Sequence, residues 1–96
     1  MTTSDGSDDP HGYMRLKRAM LGFAAELSGA GHVTESEQVE HAAAFYGGSP
    51  SEFLGESRAA MDAVLGSGLD LPAGLVQRMK SLVAEIDEGF RAIGGA

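Results

Sequence analysis

The longest stretch with one unbroken helical period covers residues 71–93. Apolar side chains recur there at steps of three and four, which is the spacing of one face of an α-helix. They are Leu75, Met79, Leu82, Ile86, Phe90 and Ile93. Asp70 is suited to cap the start, Pro72 fits a first helical turn, and Gly94 and Gly95 mark the end. We therefore predict an amphipathic helix over residues 71–93, against which the shorter apolar segments pack.

A second segment with the same period covers residues 10–28. Its apolar positions alternate in steps of three and four, at Tyr13, Leu16, Met20, Phe23 and Leu27. Asp8 or Asp9, ahead of Pro10, suits a helix start, and the glycine-rich residues 29–31 suit a helix end. This pattern predicts the first core helix.

Two shorter helices follow, and each begins with a recognisable capping sequence. Thr34 and Ser49 are each followed three positions later by a glutamate, which is the layout of a capping box. The apolar residues behind them are Val39, Ala42 or Ala43, and Tyr46, then Phe53, Leu54, Ala60, Met61, Val64 and Leu65. We predict helices over residues 34–46 and 50–65, separated by the glycines at 47–48.

The segments together predict an all-α fold, a small four-helix bundle-like domain with short glycine-marked turns. No segment alternates apolar and polar residues with period two, so strands are not expected. The predicted core is Leu16, Met20, Phe23, Phe53, Met61, Leu75, Met79, Leu82, Ile86 and Phe90. Residues 1–10 have no apolar side chain after Met1 and carry three aspartates. We predict a disordered acidic tail over residues 1–10 and a single helical domain over residues 11–96.

Composition limits the size of the core and the chemistry. The 96 residues suffice for one domain, and the six aromatic residues include no tryptophan. Only a thin core is therefore expected. The chain has no cysteine, which excludes disulfides, thiolate zinc sites and a cysteine nucleophile.

The charge balance limits the partners. Fourteen acidic residues against seven basic ones give a formal net charge of −7, which repels nucleic acid and anionic membranes. No apolar run approaches the about 20 residues of a membrane span, and the N-terminus lacks the basic region of a signal peptide. We therefore expect a cytoplasmic protein that does not associate with membranes and does not bind nucleic acid directly.

The sequence contains no arrangement typical of an enzyme. None of the three histidines lies in a nucleophile elbow, and neither glycine-rich phosphate-binding motif occurs. We expect no catalytic residue and no cofactor. Glu37 and His41 lie one helical turn apart beside Glu40, and a metal would need a further ligand from another helix. Metal binding through these three side chains is one alternative function; our first expectation is a solvated helix face with no metal.

Residues 42–54 (AAAFYGGSPSEFL) resemble the helix, turn and helix of ribbon-helix-helix antitoxins, a segment that often reads AA, three to four residues, then GxSxSEFL. The resemblance implies a DNA-binding regulator that uses the helix pair around Gly47 and Gly48. Members of that family read DNA through a basic N-terminal strand. Residues 27–33 (LSGAGHV) contain no lysine or arginine and no strand alternation. The antitoxin-like regulator rests on residues 42–54 alone and is a second alternative function.

The acidic residues concentrate in the middle of the chain. Residues 31–70 hold seven carboxylates and one basic residue, Arg58. We predict a non-catalytic protein-binding module, a small regulator or inhibitor of a partner with a basic surface, such as a nucleic-acid-handling protein. The predicted partner-binding residues are Glu37, Glu40, Phe45, Tyr46, Glu52 and Glu56. Phe45 and Tyr46 are the expected anchors, although Tyr46 suits the core equally well. The pattern leaves the oligomeric state open.

Overall fold

The computed structural model describes residues 12–95, with side chains through Ile93. The predicted disordered tail, residues 1–10, lies outside the described residues. The elements are α1 (Met14–Gly29), α2 (Val33–Ala43), α3 (Pro50–Leu65), α4 (Ala73–Phe90) and a π-helical turn (Arg91–Gly95). Residues 12–95 contain no strand, so the predicted all-α, bundle-like fold is confirmed.

The helices pack in chain order, and α4 returns to α1. Contacts between α3 and α4 join Arg58 to Asp87 and Gly55 to Phe90, so these two helices run antiparallel. The α1–α4 pair is also antiparallel, because Arg15 and Glu85 meet at one end and Glu26 and Arg78 at the other.

The core lies along the inner faces of all four helices. Nine of the ten predicted core residues are buried; Phe90, the exception, is half-buried and its ring lies 4.0 Å from a Cβ built at Gly55. The remaining buried apolar residues include Ala24, Leu27, Val39, Ala42, Ala43, Leu54, Ala60 and Val64. Four of these are alanines, which shows how little side-chain volume separates the helices.

Helix α3 approaches α4 closely where Leu54 packs against Gly89. A Cβ placed at position 89 would lie 3.1 Å from Cδ1 of Leu54, closer than ordinary van der Waals contact. The missing side chain at Gly89 therefore lets the fully buried Leu54 fill the space between these two helices.

The first helix begins later than the apolar period predicts. Gly12 has φ +73°, a left-handed conformation that glycine tolerates. A right-handed α-helix cannot include a residue in this conformation. Helix α1 therefore begins at Met14 rather than near residue 10. Its end follows the prediction closely, at Gly29.

A Schellman motif ends α1. Gly31 has φ +91°, its amide donates to the carbonyl of Ser28 at 3.0 Å, and the amide of His32 donates to that of Leu27 at 2.8 Å. These bonds satisfy carbonyls at the helix end and reverse the chain within three residues. Glycines with positive φ, Gly47 and Gly68, also lie in the next two turns.

The predicted capping box at Thr34 does not form. Helix α2 begins one residue earlier, at Val33, with His32 as the N-cap residue and no side-chain cap. Ser36 is instead buried, and its hydroxyl donates to the carbonyl of Ala24 in α1 at 2.8 Å. The close packing of α2 on α1 decides this arrangement, because it turns Ser36 inward.

Helix α2 also ends earlier than predicted, at Ala43 instead of residue 46. Phe45 and Tyr46 lie in the turn that follows, where the Tyr46 amide donates to the carbonyl of Ala43 at 3.1 Å. The capping box at Ser49 is formed on one side, because the Ser49 hydroxyl accepts a hydrogen bond from the amide of Glu52. Helix α3, Pro50–Leu65, has the predicted bounds.

The last helix is shorter at both ends than the predicted 71–93. Pro72 is the N-cap residue, in an extended conformation with ψ 139°, and Asp70 makes no cap hydrogen bond. The α-helical pattern stops at Phe90 and continues as the π-helical turn, in which Ile93 is exposed. The predicted stripe is therefore buried only from Leu75 to Ile86.

Replacing Leu54 with alanine should lower the free energy of unfolding by about 2–5 kcal/mol, because it empties a site that is 0% exposed. Leu21→Ala is the matched control: Leu21 is 42% exposed, so its truncation should cost less than about 0.5 kcal/mol. Urea denaturation followed by circular dichroism measures both. Equal losses in the two variants would contradict the described core.

The two buried serines provide a second test. Ser36 is hydrogen-bonded, whereas the Ser57 hydroxyl has no partner among residues 12–95. Ser36→Ala should cost about 1 kcal/mol of folding free energy. Ser57→Ala should be neutral or stabilising, because it removes an unsatisfied hydroxyl from the core. Thermal unfolding of the two variants should therefore shift in different directions or by clearly different amounts.

Candidate functional site

Five ion pairs join charged side chains within residues 12–95. Two of them connect α1 to α4, and one connects α3 to α4. The pairs are Arg15–Glu85, Arg78–Glu26, Arg58–Asp87, Arg58–Asp62 and Arg91–Glu88. Every described carboxylate of α1 and α4 therefore has a cationic partner.

The carboxylates of α2 and the start of α3 have no such partner. Glu37, Glu40, Glu52 and Glu56 are all exposed, and none forms an ion pair with any described residue. Helix α2 contains no lysine or arginine. We call these four glutamates the acidic surface.

Glu56 lines a shallow groove between α2 and α3. The groove has a volume of about 200 Å³ and is lined by Gln38, His41, Ala42, Glu56, Ala59, Ala60 and Ala63. This volume is below the roughly 300–1,000 Å³ typical of small-molecule sites. The groove brings Glu56 near Gln38 and His41 of α2, and four alanines complete its lining.

The two predicted aromatic anchors differ in their surroundings. Phe45 is half-buried, and its ring meets His41 edge-on at 5.4 Å between centroids. Tyr46 packs edge-on against buried Phe53 at 5.8 Å, and the Lys17 ammonium lies 5.1 Å from its ring centroid. Tyr46 therefore belongs to the edge of the core and to a cation–π contact with α1.

Two observations on residues 12–95 concern the side chains and the segment named for the two alternative functions. No three histidine, aspartate or glutamate side chains in that range could hold a metal ion together, so Glu37, Glu40 and His41 do not form such a group. The segment 27–33, where an antitoxin would need its strand, forms the end of α1, the turn and the first residue of α2.

No described helix has the length and apolar character needed to cross a membrane.

Comparison with known proteins identifies no relative: no protein-family model, no curated protein and no solved structure matches this chain.

Ion pairing shifts the pKa values of Glu26, Arg78 and Arg58. Hydrogen bonds from the guanidinium of Arg78, at 2.8 and 3.0 Å, lower the pKa of Glu26, and the charge of Arg78 acts in the same direction. The same hydrogen bonds raise the pKa of Arg78. The pKa of Arg58 is raised by its hydrogen bond to Asp62 first, and further by Asp87.

Sequence reasoning did not find the pairing of Arg15 with Glu85 or of Arg78 with Glu26. The partners lie 70 and 52 positions apart along the chain. No local spacing signals such a contact. Arg15, Lys17 and Arg18 lie within one helical turn in the sequence. The partner of Arg15 nevertheless depends on how α4 returns to α1.

Replacing Arg78 with glutamine should raise the pKa of Glu26 toward its ordinary range, because the hydrogen bonds and the charge are lost together. The pKa of Glu26 is lower in the folded protein than in the unfolded chain, so the ionised carboxylate stabilises the folded state at neutral pH. This stabilisation disappears as the pH falls through the lowered pKa of Glu26. A carboxyl-carbon NMR titration measures the shift. Arg58→Gln is the control, and an unchanged Glu26 titration in Arg78→Gln would contradict the pair.

Proposed function

We propose that this protein is a non-catalytic binding module, a small regulator or inhibitor that uses the acidic surface to bind a protein with a basic surface. The observation that carries the proposal is the uneven pairing of charge. Carboxylates of α1 and α4 are held in ion pairs within the chain, whereas Glu37, Glu40, Glu52 and Glu56 are exposed and form no ion pair with any residue that the structure describes.

Unpaired exposed carboxylates support recognition through long-range attraction. Charges without an internal partner contribute their full potential to the surrounding solvent, which steers an oppositely charged protein into encounter. The net charge of −7 adds to this field from the whole chain. Recognition of this kind acts mainly on the association rate and weakens as salt increases.

The class of partner follows from the sign and shape of the surface. Proteins that handle nucleic acid carry basic grooves, which exposed carboxylates can occupy in place of phosphates. Phe45 is half-buried beside His41, so part of its ring is accessible to serve as an apolar anchor next to the charges. We place this binding event in the cytoplasm, in agreement with the cysteine-free composition.

Reversing Glu37, Glu40 and Glu56 to lysine in one variant should slow association with the natural partner about tenfold or more at low salt and flatten its salt dependence. The fold should survive, because all three side chains are exposed. Wild type and variant serve as paired baits in lysate of the source cell. Surface plasmon resonance across a salt series then measures association of the recovered partner.

The matched control reverses Asp62, Asp70 and Glu88 to lysine. These three exposed carboxylates lie outside the acidic surface, and their reversal changes the net charge by the same amount. The control should associate clearly faster than the test variant. Equal recovery and equal rates for the test variant and wild type would overturn the proposal and leave a surface whose charge serves only solubility.

A further inference from the structure

A larger groove, independent of the acidic surface, runs between α1 and α4. Its volume is about 400 Å³, and it is lined by Arg15, Ala19, Gly22, Phe23, Glu26, Gln77, Arg78, Ser81, Leu82 and Glu85. Phe23 and Leu82, 5% and 4% exposed, border its floor. The two helices meet less closely here than the other neighbouring helices do, so this seam of the bundle is open.

The rim of this groove carries two arginines and two glutamates in an alternating arrangement. Arg15 pairs with Glu85 at one end, with 2.6 Å between Nη2 and Oε1, and Arg78 pairs with Glu26 at the other, at 2.8 Å. Each helix therefore contributes an arginine toward its own N-terminus and a glutamate toward its C-terminus. The four formal charges sum to zero, which distinguishes this face from the acidic remainder of the molecule.

This arrangement has approximate two-fold symmetry. On α1, Ala19 and Gly22 lie at the middle of the span, and Arg15 and Glu26 lie at equal distances on either side. On α4, the midpoint between Arg78 and Glu85 falls between Ser81 and Leu82. The two ion pairs set the helix ends level with each other, so the two midpoints are also level.

We propose that this groove is a self-association surface that binds a second copy of the chain face to face. The two-fold axis lies between the two copies, perpendicular to the helices and level with both midpoints. It places α1 antiparallel against α1 of the second copy, and α4 antiparallel against α4 of the second copy. Arg15 then meets Glu26 of the second copy, and Arg78 meets Glu85 of the second copy. Ala19 meets Gly22 at the axis, where the absence of large side chains lets the helix backbones approach.

Charge complementarity selects this occupant. A surface that contacts its own copy across a two-fold axis must be self-complementary, and alternating opposite charges at equal distances from the axis meet that requirement. Each rim carboxylate can accept hydrogen bonds from a second guanidinium, so the pairs within the chain persist in the dimer. Elsewhere the charge of −7 makes two copies repel each other.

The size of the face indicates a weak dimer. The span from Arg15 to Glu26 is about 17 Å of helix and that from Arg78 to Glu85 is about 11 Å, so the two helices offer much less area than the roughly 800 Å² per partner of a stable interface. We therefore expect association at high micromolar to millimolar concentration. The acidic surface lies mainly on α2 and the start of α3, so a dimer would present two such surfaces; neither proposal depends on the other.

Gly22→Gln tests the steric requirement. A Cβ at position 22 meets nothing within 4 Å in the monomer, so the variant should fold, and its long side chain should obstruct the dimer axis. Gly29→Gln is the matched control in the same helix, where a Cβ also meets nothing within 4 Å and the residue does not line the groove. Thermal unfolding verifies that both variants fold.

Exchanging charges tests the symmetry. Arg15→Glu combined with Glu85→Arg keeps the pair within the chain, reversed, and keeps the net charge. In the proposed dimer, however, it places glutamate against glutamate on α1 and arginine against arginine on α4. Adding Glu26→Arg and Arg78→Glu restores opposite charges at every contact between copies.

Sedimentation equilibrium of the full chain over about 10 μM to 1 mM measures the outcome. Wild type and Gly29→Gln should exceed the monomer mass of 9.9 kDa at the upper end. Gly22→Gln and the double exchange should raise the dissociation constant about tenfold or more, and the fourfold exchange should restore it. A wild-type monomer throughout would overturn the proposal and leave the groove to another protein. A dimer insensitive to Gly22→Gln or the double exchange would also overturn it.

Discussion

The bundle depends on how closely its helices can approach, because the chain offers few large apolar side chains to fill space between them. Buried alanines of α1, α2 and α3 leave little side-chain volume between these helices, and the contact of Leu54 with Gly89 brings α3 and α4 together. The hydrogen bond from Ser36 to Ala24 ties α2 to α1. The same shortage of volume leaves the α1–α4 seam incompletely filled. Two ion pairs span that seam at its ends, and the groove lies between them.

The distribution of cations divides the surface into two parts with different electrostatics. Arginines of α1, α3 and α4 lie opposite carboxylates of neighbouring helices, so those carboxylates are neutralised locally. Helix α2 has no arginine or lysine, and its glutamates remain exposed without an ion pair among the described residues. One part of the surface is thus strongly acidic, and the α1–α4 face carries balanced charges.

These two parts favour different kinds of contact. Unbalanced charge attracts a basic protein over distances of up to about 10 Å at ordinary salt, which affects encounter more than the final contact. Balanced, alternating charges around an apolar groove have little long-range effect and act through register at short distance. The acidic surface and the α1–α4 groove consist of different residues, so the two proposed contacts do not compete for the same side chains.

The sequence by itself determined the helices and most of the core, because helical periodicity and turn glycines act through neighbours within a few positions. It predicted the bounds of α3 and the end of α1 well, and it located the concentration of acidic residues between positions 31 and 70. The capping box predicted for α2 at Thr34 is wrong, because packing of α2 against α1 turns Ser36 inward and the helix begins without a side-chain cap. Likewise, only the tertiary structure decided that Tyr46 packs on Phe53, and that Arg15 and Arg78 reach Glu85 and Glu26. These contacts join residues on different helices, so no local spacing encodes them; they follow from the direction in which each helix returns across the bundle.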